Sequence, residues 1–151
     1  MLRVRKLQPF SLTKNSNAES GIKSQLVVDK QTKKIICTHI ANGRKHDFRI
    51  FKESRLPIAK QTQILTDSGY QGIQKQHAHA RLPIKGTKKN PLTTEAKKHN
   101  HQIGSQRVMI EHIIRELKIF KIIADRYRNR RKRFALRLNI IAAIYNFELK
   151  I

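Results

Sequence analysis

The stretch "SQRVMIEHIIRELKIF", residues 105–120, decides how the rest of the chain is read. At about 100° per residue, which follows from 3.6 residues per turn, Ile110, Ile113, Leu117 and Phe120 fall in one apolar sector, with Ile114 at its border. That spacing predicts an amphipathic helix. Arg107, Glu111 and Lys118 fall together in a narrow sector beside the apolar one. One acid thus stands between two cations at the rim of the buried face. Two readings stay open at this point. An Arg–Glu pair four residues apart occurs on any helix and is worth only about 0.2–0.5 kcal/mol. Alternatively, a carboxylate at the rim can reach a site formed by the end of a neighbouring strand.

Outward from this helix the pattern is α/β. Upstream, QLVVD (25–29) and KIICTHI (34–40) are short runs rich in β-branched residues, separated by a polar KQTK, and predict an antiparallel hairpin. Asn42-Gly43 marks a turn, and a short helix is expected from Asp47, with that residue as N-cap. Ile64 and Leu65 make a brief strand broken by Asp67-Ser68-Gly69. A helical stretch then leads to a second short strand in ARLPIKG (80–86). From Thr93 or Thr94 the pattern is helical to about Lys121, with a break or recap expected at Gly104-Ser105. A basic turn, DRYRNRRKR (125–133), precedes an apolar helix over 133–149, where Phe134, Leu138, Ile141, Ala142, Tyr145 and Leu149 recur at helical spacing. Residues 1–22 carry little pattern. Pro9, Ser11, Asn15, Ser16, Asn17 and Gly21 read as loop or frayed terminus.

With 151 residues the chain is long enough for one domain with a real core. It carries 33 Lys and Arg against 10 Asp and Glu, a formal net charge of +23. Such a chain repels itself unless an anion neutralises it, and nucleic acid is the usual partner. No apolar run approaches the ~18 residues of a membrane span. The basic start MLRVRKLQPFSLTKNS has no apolar stretch of the kind that makes a secretory signal. The lone Cys37 excludes an internal disulfide and any CxxC zinc site. These features point to an intracellular protein.

Carboxylates are scarce here, so their placement matters. Asp67 directly follows a buried strand, and ligands gather at the carboxyl ends of strands in α/β folds. Glu111 sits on a later helix. Phosphoryl transfer on nucleic acid uses carboxylates that hold Mg²⁺ ions, and two or three hard oxygen donors suffice. Asp67 and Glu111 are thus the candidate catalytic and metal-binding residues, with surrounding cations gripping a phosphate backbone. Other candidates read as structural. Asp47 reads as a cap rather than half of a metal pair with His46, and His77 and His79 read as surface. His99 and His101 follow no zinc pattern, Cys37 reads as a small core residue, and Tyr70 and Tyr127 as packing. The run 126–133 is a solvated charge block or, beside a catalytic carboxylate, a phosphate-binding segment, with Arg128, Arg130 and Arg131 as the contacts.

HDFRIFKES (46–54), ILTDSGYQGI (64–73), RVMIEHIIRELKIFKI (107–122) and DRYRNRRKRFALRLNIIAAIYNFEL (125–149) resemble the catalytic region of bacterial insertion-sequence transposases of the Asp-Asp-Glu superfamily. The resemblance covers residues 23 to 150. It implies an RNase H-like fold, Mg²⁺ or Mn²⁺ as cofactor, and DNA as partner, both element ends and target. It also implies a cytoplasmic, nucleoid-associated location and a homodimer or a dimer with an intact transposase. By resemblance Asp67, in TDSGYQG, is the second catalytic Asp. Arg107, Glu111 and Lys118 match the family's signature of Arg, three residues, Glu, six residues, Lys. The family's Tyr in that signature falls on Gly104, a departure. Glu111 would be the last metal-binding carboxylate, flanked by Arg107 and Lys118 to hold DNA phosphates and keep it ionised.

The family's first Asp, on a strand before the hairpin, has no counterpart. Residues 1–18 contain no acid, Glu19 lies in a loop-like stretch, and Asp29 ends the first hairpin strand in the wrong position. Residues 1–22 are therefore expected to be unrelated to the family, as if a frameshift, deletion or late start had replaced the upstream sequence. The fold would then be incomplete at its N-terminal strand unless LRVRKLQPFSL (2–12) forms a poor substitute. Three functional readings follow: a metal-dependent DNA strand-transfer protein, a DNA-binding remnant defective in catalysis that competes with an intact transposase, and a small ribosomal-type protein. The order of Asp67, Arg107, Glu111 and Lys118 disfavours the last.

Overall fold

The computed structural model describes residues 6–14, 21–125 and 132–149. Five strands form one sheet in the order β3-β2-β1-β4-β5. β1 (Lys6–Lys14), β2 (Ile22–Asp29) and β3 (Ile35–Asn42) run antiparallel, and β4 (Gln63–Leu65) and β5 (Ala80–Arg81) continue the sheet parallel to β1. The expected hairpin is β2–β3. It is closed by Asp29, whose carboxylate accepts from Gln31 N at 3.0 Å and Thr32 Oγ1 at 3.1 Å. Asp29 is therefore a turn residue, as its position in the sequence implies.

The loop-like reading of residues 1–22, and with it an incomplete N-terminal strand, is corrected for Lys6–Lys14. This segment is the central strand of the sheet. Composition hid it, because Pro9 removes a donor that a central strand ordinarily uses. The strand is nonetheless matched over its whole length, from Leu7 opposite Asp29 to Lys14 opposite Ile22. Pairing partners, not the segment's own pattern, make it a strand.

Alternation along β2 assigns the two faces of the sheet. Ile22, Leu26 and Val28 join a core with helices α2 (Thr94–Leu117) and α4 (Lys132–Glu148). Lys23, of opposite parity, pairs with Asp47 of α1 (Asp47–Glu53). Helix α1 thus lies across the sheet from α2 and α4. A second, smaller core gathers Phe51, Ile64, Tyr70, Ile73, Ala80 and Leu82 on that side.

Several local expectations change. His46, not Asp47, is the N-cap of α1, and Asp47 is its first helical residue. The helical stretch expected between the two short strands is two single 3₁₀ turns, Ser68–Tyr70 and Ile73–Lys75. Helix α2 runs unbroken through Gly104 and Ser105. Ser105 Oγ donates back to the Gln102 carbonyl at 2.9 Å, inside the helix rather than as a new cap. Thr93 caps α2 as expected, accepting from Ala96 N at 3.2 Å. The buried face of α2 includes Ile110, Ile113, Ile114 and Leu117, but the helix ends at Leu117 and Phe120 stands 38% exposed. A four-residue helix, α3 (Lys121–Ala124), follows. His77 is half-buried against the Phe51 ring rather than on the open surface. Cys37 is half-buried, and burial pushes its thiol pKa up.

Two asparagines anchor helices to extended backbone. Asn146 of α4 accepts from Ile35 N and donates to Ile35 O, both at 2.8 Å, on the edge strand β3. Asn100 of α2 does the same for Ile84, at 2.8 and 2.9 Å. Each side-chain amide copies one rung of a β-ladder, so an unpaired edge is partly covered. Replacing Asn146 by Ala should cost about 1–3 kcal/mol, because two backbone groups of buried Ile35 lose their partner. A urea unfolding midpoint unchanged in Asn146→Ala would show that water replaces the bonds without loss.

Candidate active site at the carboxyl end of β4

The last rung of β4 is fixed by Thr66, which is buried and donates its N–H to the Arg81 carbonyl at 2.9 Å. Asp67 is the next residue, at the carboxyl end of the parallel part of the sheet. It is the N-cap of the Ser68–Tyr70 turn, with Oδ1 accepting from Ser68 N at 2.6 Å. A short polar side chain that satisfies a free N–H at a turn start is the chemistry of a cap. The cap also fixes the carboxylate's direction.

The same Oδ1 accepts from Arg107 Nη1 of α2 at 3.2 Å. The Asp67 side chain is 41% exposed and that of Arg107 18%. Strand alternation accounts for the contact: Ile64 faces α1, so Asp67, three residues on, faces α2. No ion pair joins Arg107 to Glu111. The helix's cation reaches across to the strand end instead of along its own axis.

Glu111 lies one turn further along α2 from Arg107, a rise of about 6 Å. Its side chain is exposed. Lys118 is the C-cap of α2, exposed, and still in right-handed helical conformation (φ −74°, ψ −9°), so it continues the line of Arg107 and Glu111. Asp67 and Arg107 therefore meet at the carboxyl end of β4, and Glu111 follows one turn along α2. Lys118 stands almost two turns beyond Glu111. Arg128, Arg130 and Arg131, with Tyr127 and Glu19, lie outside the described residues.

Among the described residues no three of His, Cys, Asp and Glu come together as a metal-binding group. The Asp67 carboxylate has a single oxygen engaged, by Ser68 and Arg107, and Glu111 on α2 is exposed. Mg²⁺ is commonly held by one or two carboxylates together with water and substrate phosphates rather than by an all-protein cage. Asp67, with one oxygen free of protein partners, and the exposed Glu111 are donors of the kind that mode uses.

Sequence reasoning missed what stands behind Asp67. Tyr70 is fully buried, packs edge-to-face on Phe51 of α1 at 6.2 Å, and its hydroxyl has no hydrogen-bond partner among the described residues. Its pKa is driven far above the ordinary tyrosine range, first by burial and then by the charges of Asp47 and Asp67. Asp47, read as a cap, instead makes an ion pair with Lys23, Nζ to Oδ1 at 3.0 Å. The adjacency of His46 and Asp47 was the one visible signal; nothing in the sequence marked Lys23.

The Tyr70 shift has a consequence for stability. Unfolded tyrosine ionises near pH 10, and the folded group does so only well above that. The folded state's advantage is thus whole below about pH 10 and falls as pH rises further. Tyr70→Phe removes a buried hydroxyl that has no partner. It should leave stability unchanged or raise it by about 1 kcal/mol at neutral pH, and should flatten the alkaline loss. Denaturation at pH 7 and pH 11 tests this, and a loss of more than about 1 kcal/mol at pH 7 would mean that the hydroxyl is in fact bonded.

A family model described as "Transposase DDE domain" matches residues 2–147. The chain is also 45% identical over 131 residues to a probable transposase for insertion sequence element IS702 from Microchaete diplosiphon, covering 87% of this chain and 48% of that protein. It thus spans about half the length of the curated relative it matches. No solved structure matches it.

Proposed function

The chain belongs to the transposase DDE domain family, and from that premise we propose that it serves DNA transposition as a catalytic-type domain for divalent-metal-dependent strand cleavage and transfer. The observation that carries the reading is the meeting of Asp67, at the carboxyl end of β4, with Arg107 of the helix that bears Glu111 one turn on. The strand order, with an antiparallel β3-β2-β1 half and a parallel β1-β4-β5 half, supports an RNase H-like fold. DDE domains use divalent metal ions. Asp67 and Glu111 are the residues that would hold Mg²⁺ or Mn²⁺. When bound, such ions activate the attacking oxygen and stabilise the leaving oxygen.

The chain's own residues do the rest. Arg107 holds the Asp67 carboxylate in one orientation and presents positive charge one turn before Glu111 for a DNA phosphate, with Lys118 almost two turns beyond it on the same line. The excess of cations supplies sequence-independent affinity for DNA. Among the described residues no helix is long and apolar enough to cross a membrane, and the reading places the protein in the cytoplasm with nucleoid DNA. Both element ends and target DNA are its substrates, engaged as a homodimer or beside an intact transposase.

A second reading is favoured by β1. Leu7 is in register with Ile64 of β4, so continuing that register puts Phe10 level with Asp67. The position at which a third carboxylate would complete the site thus carries no acid, and neither does any other residue of β1. In this form the chain binds DNA and competes for it without cutting. The expected result with purified protein is salt-sensitive binding of the element's terminal DNA and no Mn²⁺-dependent nicking. Phe10→Asp should gain nicking, and Glu111→Gln or Asp67→Asn in that background should abolish it. Nicking by the unaltered chain that Glu111→Gln abolishes would instead mean that another group has taken the place of the acid.

The affinity for DNA has its own test. Replacing Arg130 and Arg131 together by Ala should weaken binding to unrelated DNA sequences to a similar degree. It should also lower the slope of log affinity against log salt by about 1 for each DNA phosphate that is no longer neutralised. An unchanged affinity and slope would remove both residues from the DNA interface.

A further inference from the structure

We propose that Lys23 and Asp47 form a latch behind the Asp67 turn and are positioning residues for the Asp67 carboxylate. The inference rests on the reading of Asp67 as a metal-holding carboxylate and adds two residues to it. They stand on the far side of the turn from α2.

Three contacts assemble the latch. Lys23 Nζ of β2 lies 3.0 Å from Asp47 Oδ1 and donates to the Lys45 carbonyl at 3.0 Å, so it ties the sheet to both the entry loop and the first residue of α1. The two side chains are only 14% and 22% exposed, which separates this pair from an open surface ion pair. Asp47 Oδ2 occupies the space that a side chain on Gly69 would need: a Cβ there would overlap the oxygen and lie 3.2 Å from Asp47 Cγ. A side chain on Gly69 would have to push the Asp47 carboxylate aside. Next to it, the Tyr70 ring is seated on Phe51, one turn of α1 beyond Asp47.

The Ser68–Tyr70 turn is thereby gripped from both faces of the sheet. Arg107 holds Asp67 on the α2 side, and Asp47 backs Gly69 on the α1 side. A carboxylate behind a second carboxylate would repel it, and Lys23 offsets that charge. A ligand side chain performs only when its supporting shell holds it to within about 0.5 Å. The turn between β4 and the first 3₁₀ helix has no long element of its own to do this. The latch supplies it.

The experiment joins two readouts on the full chain: amide hydrogen exchange at Ser68, Gly69 and Tyr70, and Mn²⁺ affinity from titration of free Mn²⁺ by electron paramagnetic resonance. The latch predicts that Asp47→Asn and Asp47→Glu each speed exchange of these amides about tenfold while leaving β2–β3 amides unchanged, and weaken Mn²⁺ binding at least threefold. Asp47→Glu retains the charge but not the fit over Gly69, so wild-type affinity in that variant would reduce the effect to through-space charge and overturn the latch. Gly69→Ala should behave like Asp47→Ala, and the double variant should be no worse than either, since both break one contact. Unchanged exchange in every variant overturns the proposal. Faster exchange with unchanged Mn²⁺ affinity also overturns it, by leaving a merely structural contact. Asp67→Asn is the control: if it leaves Mn²⁺ affinity intact, the functional reading of Asp67 falls and the positioning role with it. If only Asp67→Asn weakens binding, the functional reading stands and the latch alone fails.

Discussion

The guanidinium of Arg107, 3.2 Å from Asp67, joins the longest helix to the carboxyl end of β4. Both residues come from parts of the chain 40 positions apart. With Asp67 41% exposed, the pair contributes little stability, on the order of the 0–1 kcal/mol of exposed ion pairs. Its importance is geometric. The buried face of Ile110, Ile113, Ile114 and Leu117 sets the rotation of α2, and the pair marks where that helix meets the strand end. Because Arg107 is engaged by the strand end, the helix's own acid is left exposed and not paired with it.

The sheet gives that contact its frame. β1 is central in position though poor in pattern, and it alone links the antiparallel half to the parallel half. The two faces have unequal cores. α2 and α4 cover one face with a large apolar cluster, and α1 with the 3₁₀ turns covers the other with a smaller one. A chain of net charge +23 has much self-repulsion to overcome. Asn146 and Asn100 bind helices to backbone without adding charge, which suits such a chain.

The site turn is the meeting point of the two faces. Strand alternation sends Asp67 to the α2 side, and the 3₁₀ turn that follows brings Gly69 against Asp47 on the other. Short strands ending together at a tight turn leave little backbone to hold a carboxylate still. Side chains from both layers take over that task, and Tyr70 fills the space between them.

Read alone, the sequence determined the α/β class, the β2–β3 hairpin, the extents of α2 and α4 to within a few residues, and the motifs around Asp67 and Glu111. Each of these is a local pattern: β-branched runs, a 3.6-residue apolar period, a strand end followed by Asp-Ser-Gly. Only the tertiary structure decided the rest. Lys6–Lys14 becomes a central strand because two neighbours bond to it, which its own composition, with Pro9 inside, does not announce. Arg107 turns to Asp67 because packing brings the end of β4 within its reach, a fact that spacing on a wheel cannot hold. Asp47 leaves the capping role because Lys23 and Gly69 approach it from distant parts of the chain. Periodicity reports which face of an element is buried; it carries no information about which other element lies against that face.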